Sequence, residues 1–489
     1  MTQPGKRPYR PKSGAPAKGG PARPARPRGA HPPRKPDGPA RPPAEDAARR
    51  AALDVLRAVR ADDAYANLVL PKLLRDRRIS GRDAGLATEL AYGACRARGL
   101  LDEIIGECSA RPLSEVEPEL LDALRLGAYQ LLRTRIPAHA AVTSTVDLVR
   151  ADLGSRVTGF ANAVLRKISE RDENAWLAAL APDPVTDPVG NLAARTAHPR
   201  WIARAFADAL GSTGDELGDA LRADDTRPLV HLVARPGEVS AEELAAMTGG
   251  DPGPYSPYAV HLDPGSGDPG ALEPVREKLA AVQDEGSQLC ALALTRAPLE
   301  GPDLAWLDLC AGPGGKAALL GALAAINGGT LDAVEQAPHR ARLVEQSTGG
   351  LPVTVHVADG RDPGLAAGGF DRVLVDAPCT GLGALRRRPE ARWRRQPSDV
   401  GDLTKLQREL LTSALDLVRP GGVVAYVVCS PHLSETEGVV SAVARKTGAT
   451  VLDARGAFPD VPGLGEGPYA QLWPHRHGTD AMFCALLRR

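Results

Sequence analysis

The chain has 489 residues, with 60 Lys and Arg balancing 60 Asp and Glu and seven scattered cysteines. That length exceeds what one hydrophobic core serves and implies two or three domains. No run of about 18 apolar residues offers a membrane span, and no secretory leader opens the chain. An odd cysteine count without a CxxC pair suits neither a disulfide framework nor a zinc site, so a reducing, cytoplasmic setting without a metal is expected.

Residues 1–44 come first. Up to residue 43 they hold eleven Lys and Arg against the single acid Asp37, which leaves the remainder at minus ten. The stretch is Pro, Gly, Ala and Arg with almost no large apolar residue, so it cannot offset the entropy of ordering its backbone and is expected to be disordered. Its charge suits a sequence-blind attraction to RNA phosphates, or serves only to solubilise.

From 45 to 170 the pattern is helical. Ala52, Val55, Leu56 and Val59 recur at i, i+3, i+4 and i+7, and Leu120, Leu121, Leu124, Ala128, Leu131 and Leu132 continue the spacing. This predicts a small all-helical domain. Residues 171–280 mix a helical run, "HPRWIARAFADAL", a strand, "PLVHLVARPG", and dense Gly and Pro, which predicts a small α+β element.

After 281 strands and helices alternate. "LAWLDLC", "TLDAVE", "VTVHVAD", "FDRVLVDAP" and "GGVVAYVVCS" are short apolar runs separated by helical stretches. That order predicts a doubly wound, mostly parallel sheet with ligands at the carboxyl ends of its strands. Gly312, Gly314 and Gly315 lie between the first strand and its helix, where the backbone must turn sharply and approach a ligand. A P-loop would need glycine at 310 and a hydroxyl after Lys316, and a nicotinamide site would need GxGxxG; neither is present. S-adenosylmethionine (SAM), with ribose and adenine but no phosphate, is the remaining candidate. Glu335 then suits the ribose hydroxyls and Asp359 the adenine amino group, although acids at strand ends also cap helices or face water. Cys95, Cys108, Cys290 and Cys484 read as small core residues, whereas Cys379 and Cys429 leave strands at the ligand end of the sheet. If those strands are neighbours, both thiols face one pocket.

"VDAPCTGLGALRRRPEARWRR", "LQRELLTSALDLVRPGGVVAYVVCS" and "LDLCAGPGGK" resemble the RNA cytosine-C5 methyltransferases of the Nol1/Nop2/Sun family. "RRAALDVLRAV", "LRLGAYQLL", "IPAHAAV" and "FANAVLRKIS" are similar to the NusB-like domain of its bacterial Sun/RsmB branch. The resemblance covers residues 45–489. It implies a class I, Rossmann-like SAM-dependent methyltransferase core at 281–489 behind a NusB-like RNA-binding domain at 45–170 and an RNA-binding or linker element at 171–280. It further implies ribosomal RNA as substrate, 16S rRNA or the small-subunit precursor. Cys310, Ala311, Gly312, Pro313, Gly314, Gly315 and Lys316 would form the SAM loop, with Glu335 at the ribose and Asp359 at the adenine. Cys429 would be the nucleophile, Cys379 the group that helps release product, and Asp376 the contact to both cofactor and cytosine. His432 is a local candidate for promoting the thiolate. DNA cytosine methyltransferases instead use the cysteine of a Pro-Cys pair such as Pro378–Cys379, but the surrounding motifs favour Cys429.

Arg387 and Arg388 in the basic run around Trp393 could hold phosphates beside a stacking face, or be a solvated surface with Trp393 packed inward. Three departures bear on RNA contacts: "HLSETE" after the nucleophile, "VARPG" in the preceding element, and Ala481 where glycine is common. Competing functions are a transfer RNA or other RNA substrate, and a non-catalytic RNA-binding or antitermination factor. Retention of the glycine turn, Glu335, Asp359, Asp376 and both cysteines argues against the latter.

Overall fold

Helices Ala47–Ala61, Ala66–Asp76, Gly81–Cys108, Pro118–Arg133, Ala138–Leu153 and Thr158–Ile168 open the computed structural model, which describes residues 46–489. The tail expected to be disordered and basic lies outside the described residues. The periodic positions face inward: Ala52, Val55, Leu120, Leu124 and Ala128 are fully buried, with Val59, Leu131 and Leu132 packed at the margin. Glycine lets two of these helices touch, because a Cβ on Gly93 would lie 1.9 Å from the Tyr129 ring.

The element at 171–280 has two parts. Helices Glu173–Leu180, Pro188–Arg195, Arg200–Leu210 and Asp215–Asp225 come first. Ile202, Phe206, Leu217 and Leu221 on them pack against Leu382, Leu385, Trp473 and Ala481 from the far end of the chain. The methyl group of Ala481, one of the three departures, is thus buried in an apolar cluster. Arg392 is fully buried and fastens this contact, donating to Asp225 Oδ1 at 2.7 Å and to the Asp224 carbonyl at 2.9 Å. The second part is an antiparallel sheet of β1 (Val230–Ala234), β2 (Asp251–Pro252), β3 (Ala259–Leu262) and β4 (Ala280–Val282), in the order β2-β3-β1-β4.

The remaining strands are β5 (Ala305–Asp308), β6 (Thr330–Val334), β7 (Val353–His356), β8 (Phe370–Asp376), β9 (Val418–Val428), β10 (Thr450–Leu452), β11 (Ala470–Gln471) and β12 (Phe483–Arg488). They form one sheet ordered β10-β12-β9-β8-β5-β6-β7, with β11 on β12. The β5 to β9 pairings are parallel and those of β12 antiparallel. Helices cover both faces, so residues 373–375 of β8 and 423–428 of β9 are apolar and buried on both sides. The chain steps from β5 to β6 and β7 on one side and then crosses to β8 and β9 on the other. That reversal opens a crevice beyond the carboxyl ends of β5 and β8. The sequence motifs all lie at this end.

Candidate active site

β5 ends at Asp308, and the chain turns through Cys310 to Gly314 before the Gly315–Ile326 helix. Gly314 has φ +110°, and a Cβ there would sit 3.0 Å from Val344 Cα, so backbone and space both require glycine. The Gly312 amide donates to Glu335 Oε2 at 3.1 Å, and a Cβ on Gly312 would come within 2.2 Å of that oxygen. Glu335 is buried; its second oxygen accepts from the Ala337 amide at 2.9 Å, and Arg340 pairs with it at 3.4 Å. Glu335 therefore braces the glycine turn and its own turn into the next helix. Asp359 is more open. Arg361 pairs with it at 2.6 Å and holds its carboxyl below the usual range.

Asp308 escaped the sequence reading. It is buried, its Oδ2 has no donor among the described residues, and burial with the neighbouring Asp376 pushes its pKa up to about 7. An orphaned acceptor at the foot of a glycine turn matches the charged amino group of SAM, and these residues fit that cofactor. Only "LDLC", the start of the glycine motif, hinted at it. The Cys310 thiol is driven up by burial and by Asp308, which makes it inert.

Lys316, in the first turn of the helix that follows the glycine loop, reaches across to β8. Its Nζ donates to Asp376 Oδ2 at 2.8 Å, and although burial opposes its charge, Asp376 outweighs this and raises its pKa. The residue expected in the cofactor loop thus holds the carboxylate at the end of β8.

β8 and β9 are parallel neighbours, with Asp376 opposite Val427, so their exits lie side by side. Cys379 Sγ and Cys429 Sγ stand 3.5 Å apart, both free thiols. The hydrogen bond with Cys379 lowers the Cys429 pKa, with help from Arg388 and Lys316 against burial and Asp376. Cys379 is raised by the same bond, by burial and by Glu435. The sequence reading proposed His432 as the thiolate's helper; its Nδ1 instead accepts from the Ser434 amide at 3.2 Å, and Arg388 and Lys316 supply the positive charge.

Glu435, inside the departing "HLSETE", ties the two cysteine loops together. Fully buried, it accepts from the Thr380 amide at 2.8 Å, the Ser430 hydroxyl at 2.7 Å and Gln407 Nε2 at 3.0 Å, and also from the Thr380 hydroxyl. Thr380 follows Cys379 and Ser430 follows Cys429. Tyr426 on β9 locks the Glu435 carbonyl at 2.7 Å. Nothing in spacing alone distinguishes this glutamate from a surface charge.

The three proposed RNA contacts separate. Arg387 pairs with Asp284 at 2.7 Å and Asp480 at 3.0 Å, beside Arg386 on the same two acids. Trp393 donates to the Arg96 carbonyl at 3.0 Å and lies on Gly99, where a Cβ would fall 2.1 Å from its ring. Both side chains join parts of the molecule through intramolecular partners, and Trp393 takes the inward-packed alternative. Arg388 alone of the three is exposed, its guanidinium 5.3 Å from the Tyr65 ring centroid.

The chain matches a family model described as 16S rRNA methyltransferase RsmB/F over residues 294–488 and the NusB family over 46–170. A Mycobacterium tuberculosis H37Rv protein named as a methyltransferase is 61% identical over 445 residues, covering 91% of this chain and 97% of its own. The ribosomal RNA small subunit methyltransferase B of Salmonella newport is 31% identical over 405 residues, covering 81% and 89%. The crystal structure of PH0851 shares the fold with a TM-score of 0.75 at 24% identity, covering 91% of this chain and 99% of that one. Among the described residues, no helix is long and apolar enough to cross a membrane.

Proposed function

The chain belongs to the RsmB/F family of SAM-dependent 16S rRNA methyltransferases, and from that premise we propose that it methylates C5 of a cytosine through a covalent bond from Cys429 to C6. The supporting observation is the pair of thiols 3.5 Å apart with only Cys429 drawn toward the anion. C5 of cytosine is too weak a nucleophile to attack a sulfonium unaided. The Cys429 thiolate adds to C6, and the electrons of the C5–C6 double bond move into the ring. Asp376, oriented by Lys316 and carrying the proton given up as the Cys429 thiolate forms, donates it to N3 and so stabilises the charge that develops there. SAM, when bound, supplies the electrophilic methyl group that C5 takes up. Cys379, once its own proton has passed to solvent, or a water beside it, then removes the C5 proton; the double bond reforms and expels the Cys429 thiolate. Cys379 is suited to change roles. Its largest upward influence is the bond to Cys429, which ends once that sulfur is bound to carbon.

Bisulfite sequencing of 16S rRNA from a strain lacking the gene, before and after complementation, tests the assignment. One cytosine is expected to lose protection and regain it. Cys429→Ala should restore nothing while still binding SAM, and Cys379→Ala should accumulate an RNA–protein adduct on denaturing gels. The opposite assignment of the two variants would reverse the roles of the thiols. Loss of protection at a transfer RNA cytosine would move the substrate.

A further inference from the structure

Beside the thiol pair, the loop after Cys429 faces the Arg200–Leu210 helix across an open groove of about 350 Å³. The chemistry above uses none of its lining. Ile202, Ala203 and Phe206 turn inward from this helix, so half-buried Trp201 and exposed Arg204 and Asp208 form one wall. His432 and Leu433 form the other, with Pro397 at the rim. Arg204 has no ion-pair partner among the described residues, unlike Arg386, Arg387 and Arg392. Since His432 Nδ1 accepts from the Ser434 amide, its Nε2–H is left as a donor.

We propose that this groove binds an unpaired nucleotide of the RNA, the neighbour of the target cytosine. Its base rests on Trp201 and Leu433, its phosphate meets Arg204, and its polar edge meets His432 Nε2–H and the Asp208 carboxylate. An aromatic face, an unpaired cation and a few polar groups are what single-stranded RNA sites combine. The volume lies within the roughly 300–1,000 Å³ of small-ligand sites. Position argues most strongly. His432 is three residues past Cys429, so at most about 11 Å of chain separates them. An enzyme acting on a base must take it out of its stack, and a seat for the next base offsets the stacking lost.

The proposal rests on the rRNA methyltransferase reading, and the test separates the two. Trp201→Ala, Trp201→Phe and Arg204→Glu are assayed on unmethylated 16S rRNA, naked and as small-subunit particles, alongside SAM affinity. Trp201→Ala and Arg204→Glu should raise the KM for RNA about tenfold on both substrates, with SAM binding unchanged; Trp201→Phe should retain most of the affinity. Unchanged KM in both variants would overturn the subsite while wild-type turnover upholds the methyltransferase. A rise confined to particles would assign the groove to a ribosomal protein and likewise overturn it. Wild-type inactivity on both substrates would sink the rRNA reading and the subsite with it. Arg204 is exposed, so Arg204→Glu decides alone if Trp201→Ala loses SAM binding through misfolding.

Discussion

A thiol reacts as its anion, and an ordinary cysteine near pKa ~8.5 is mostly protonated at neutral pH. Here the hydrogen bond with Cys379 lowers the Cys429 pKa, and Arg388 and Lys316 add positive charge, so the Cys429 anion survives to lower pH. Iodoacetamide labelling of Cys429, followed by mass spectrometry, should therefore stay fast at pH values where a free thiol slows, then fall as pH drops through the depressed pKa. Cys379→Ala removes this hydrogen bond and should move that midpoint upward; an ordinary midpoint in the native enzyme would contradict the assignment. Glu435 gives a second prediction. Glu435→Leu strands buried donors at Thr380, Ser430 and Gln407, each worth about 1–3 kcal/mol when left unsatisfied. A lower Tm should result, and Glu435→Gln should lower kcat at least tenfold with SAM affinity intact. Unchanged turnover in Glu435→Gln would reduce Glu435 to a structural brace. The cysteines were legible because each ends an apolar run. Glu435 was not, because its partners lie 55, 28 and 5 residues away and meet only once β8 and β9 pair.

At the scale of elements, the site depends on strand exits that are adjacent and on loops pulled tight between them. After Cys379 the chain doubles back so that the Gly383 amide donates to the Cys429 carbonyl at 2.9 Å, while its own carbonyl accepts from Ala481 at 2.9 Å. A Cβ on Gly383 would lie 1.9 Å from the Ala481 oxygen, a backbone atom that cannot swing aside. Gly383→Ala should therefore cost about 1–3 kcal/mol of stability, read by thermal unfolding, and displace Cys429. Its kcat should fall much further than its SAM affinity. Gly314→Ala should do the reverse: φ +110° and Val344 Cα exclude the methyl group, so SAM binding is lost first. Equal effects of the two substitutions on SAM binding would mean that the loops are not independent. The strand–helix alternation was legible as short apolar runs, and the parallel order followed from it. The four helices between 173 and 225 were only partly legible, because their apolar faces are completed by Leu382, Leu385 and Trp473, distant in sequence.

In the whole molecule, the helical part meets the catalytic part through the basic run that the sequence had offered to RNA. Trp393 seats on Gly99, Arg394 donates to the Ala64 carbonyl at 2.9 Å, and the Tyr65 ring lies 5.3 Å from the Arg388 guanidinium and 5.1 Å from that of Arg394. Arginine next to tryptophan reads equally as a nucleic-acid surface or a domain contact, since both use cations and aromatic faces. Only the presence of Gly99 and Tyr65 opposite decides between them. Arg388 belongs to this contact and is also one of the charges that lower the Cys429 pKa, so docking of the helical part reaches the nucleophile. Removing the ring frees Arg388 to swing toward water. A cation–π contact at an exposed site is worth about 0.5–1 kcal/mol, and about 1.36 kcal/mol corresponds to one pKa unit. Tyr65→Ala should then move the midpoint of Cys429 alkylation upward by at most about 0.7 unit, and Arg388→Ala should move it at least as far. The order matters more than the size. A shift in Tyr65→Ala that persists in the Arg388→Ala background would show that Tyr65 acts by another route, whereas its disappearance there identifies Arg388 as the link between the two parts.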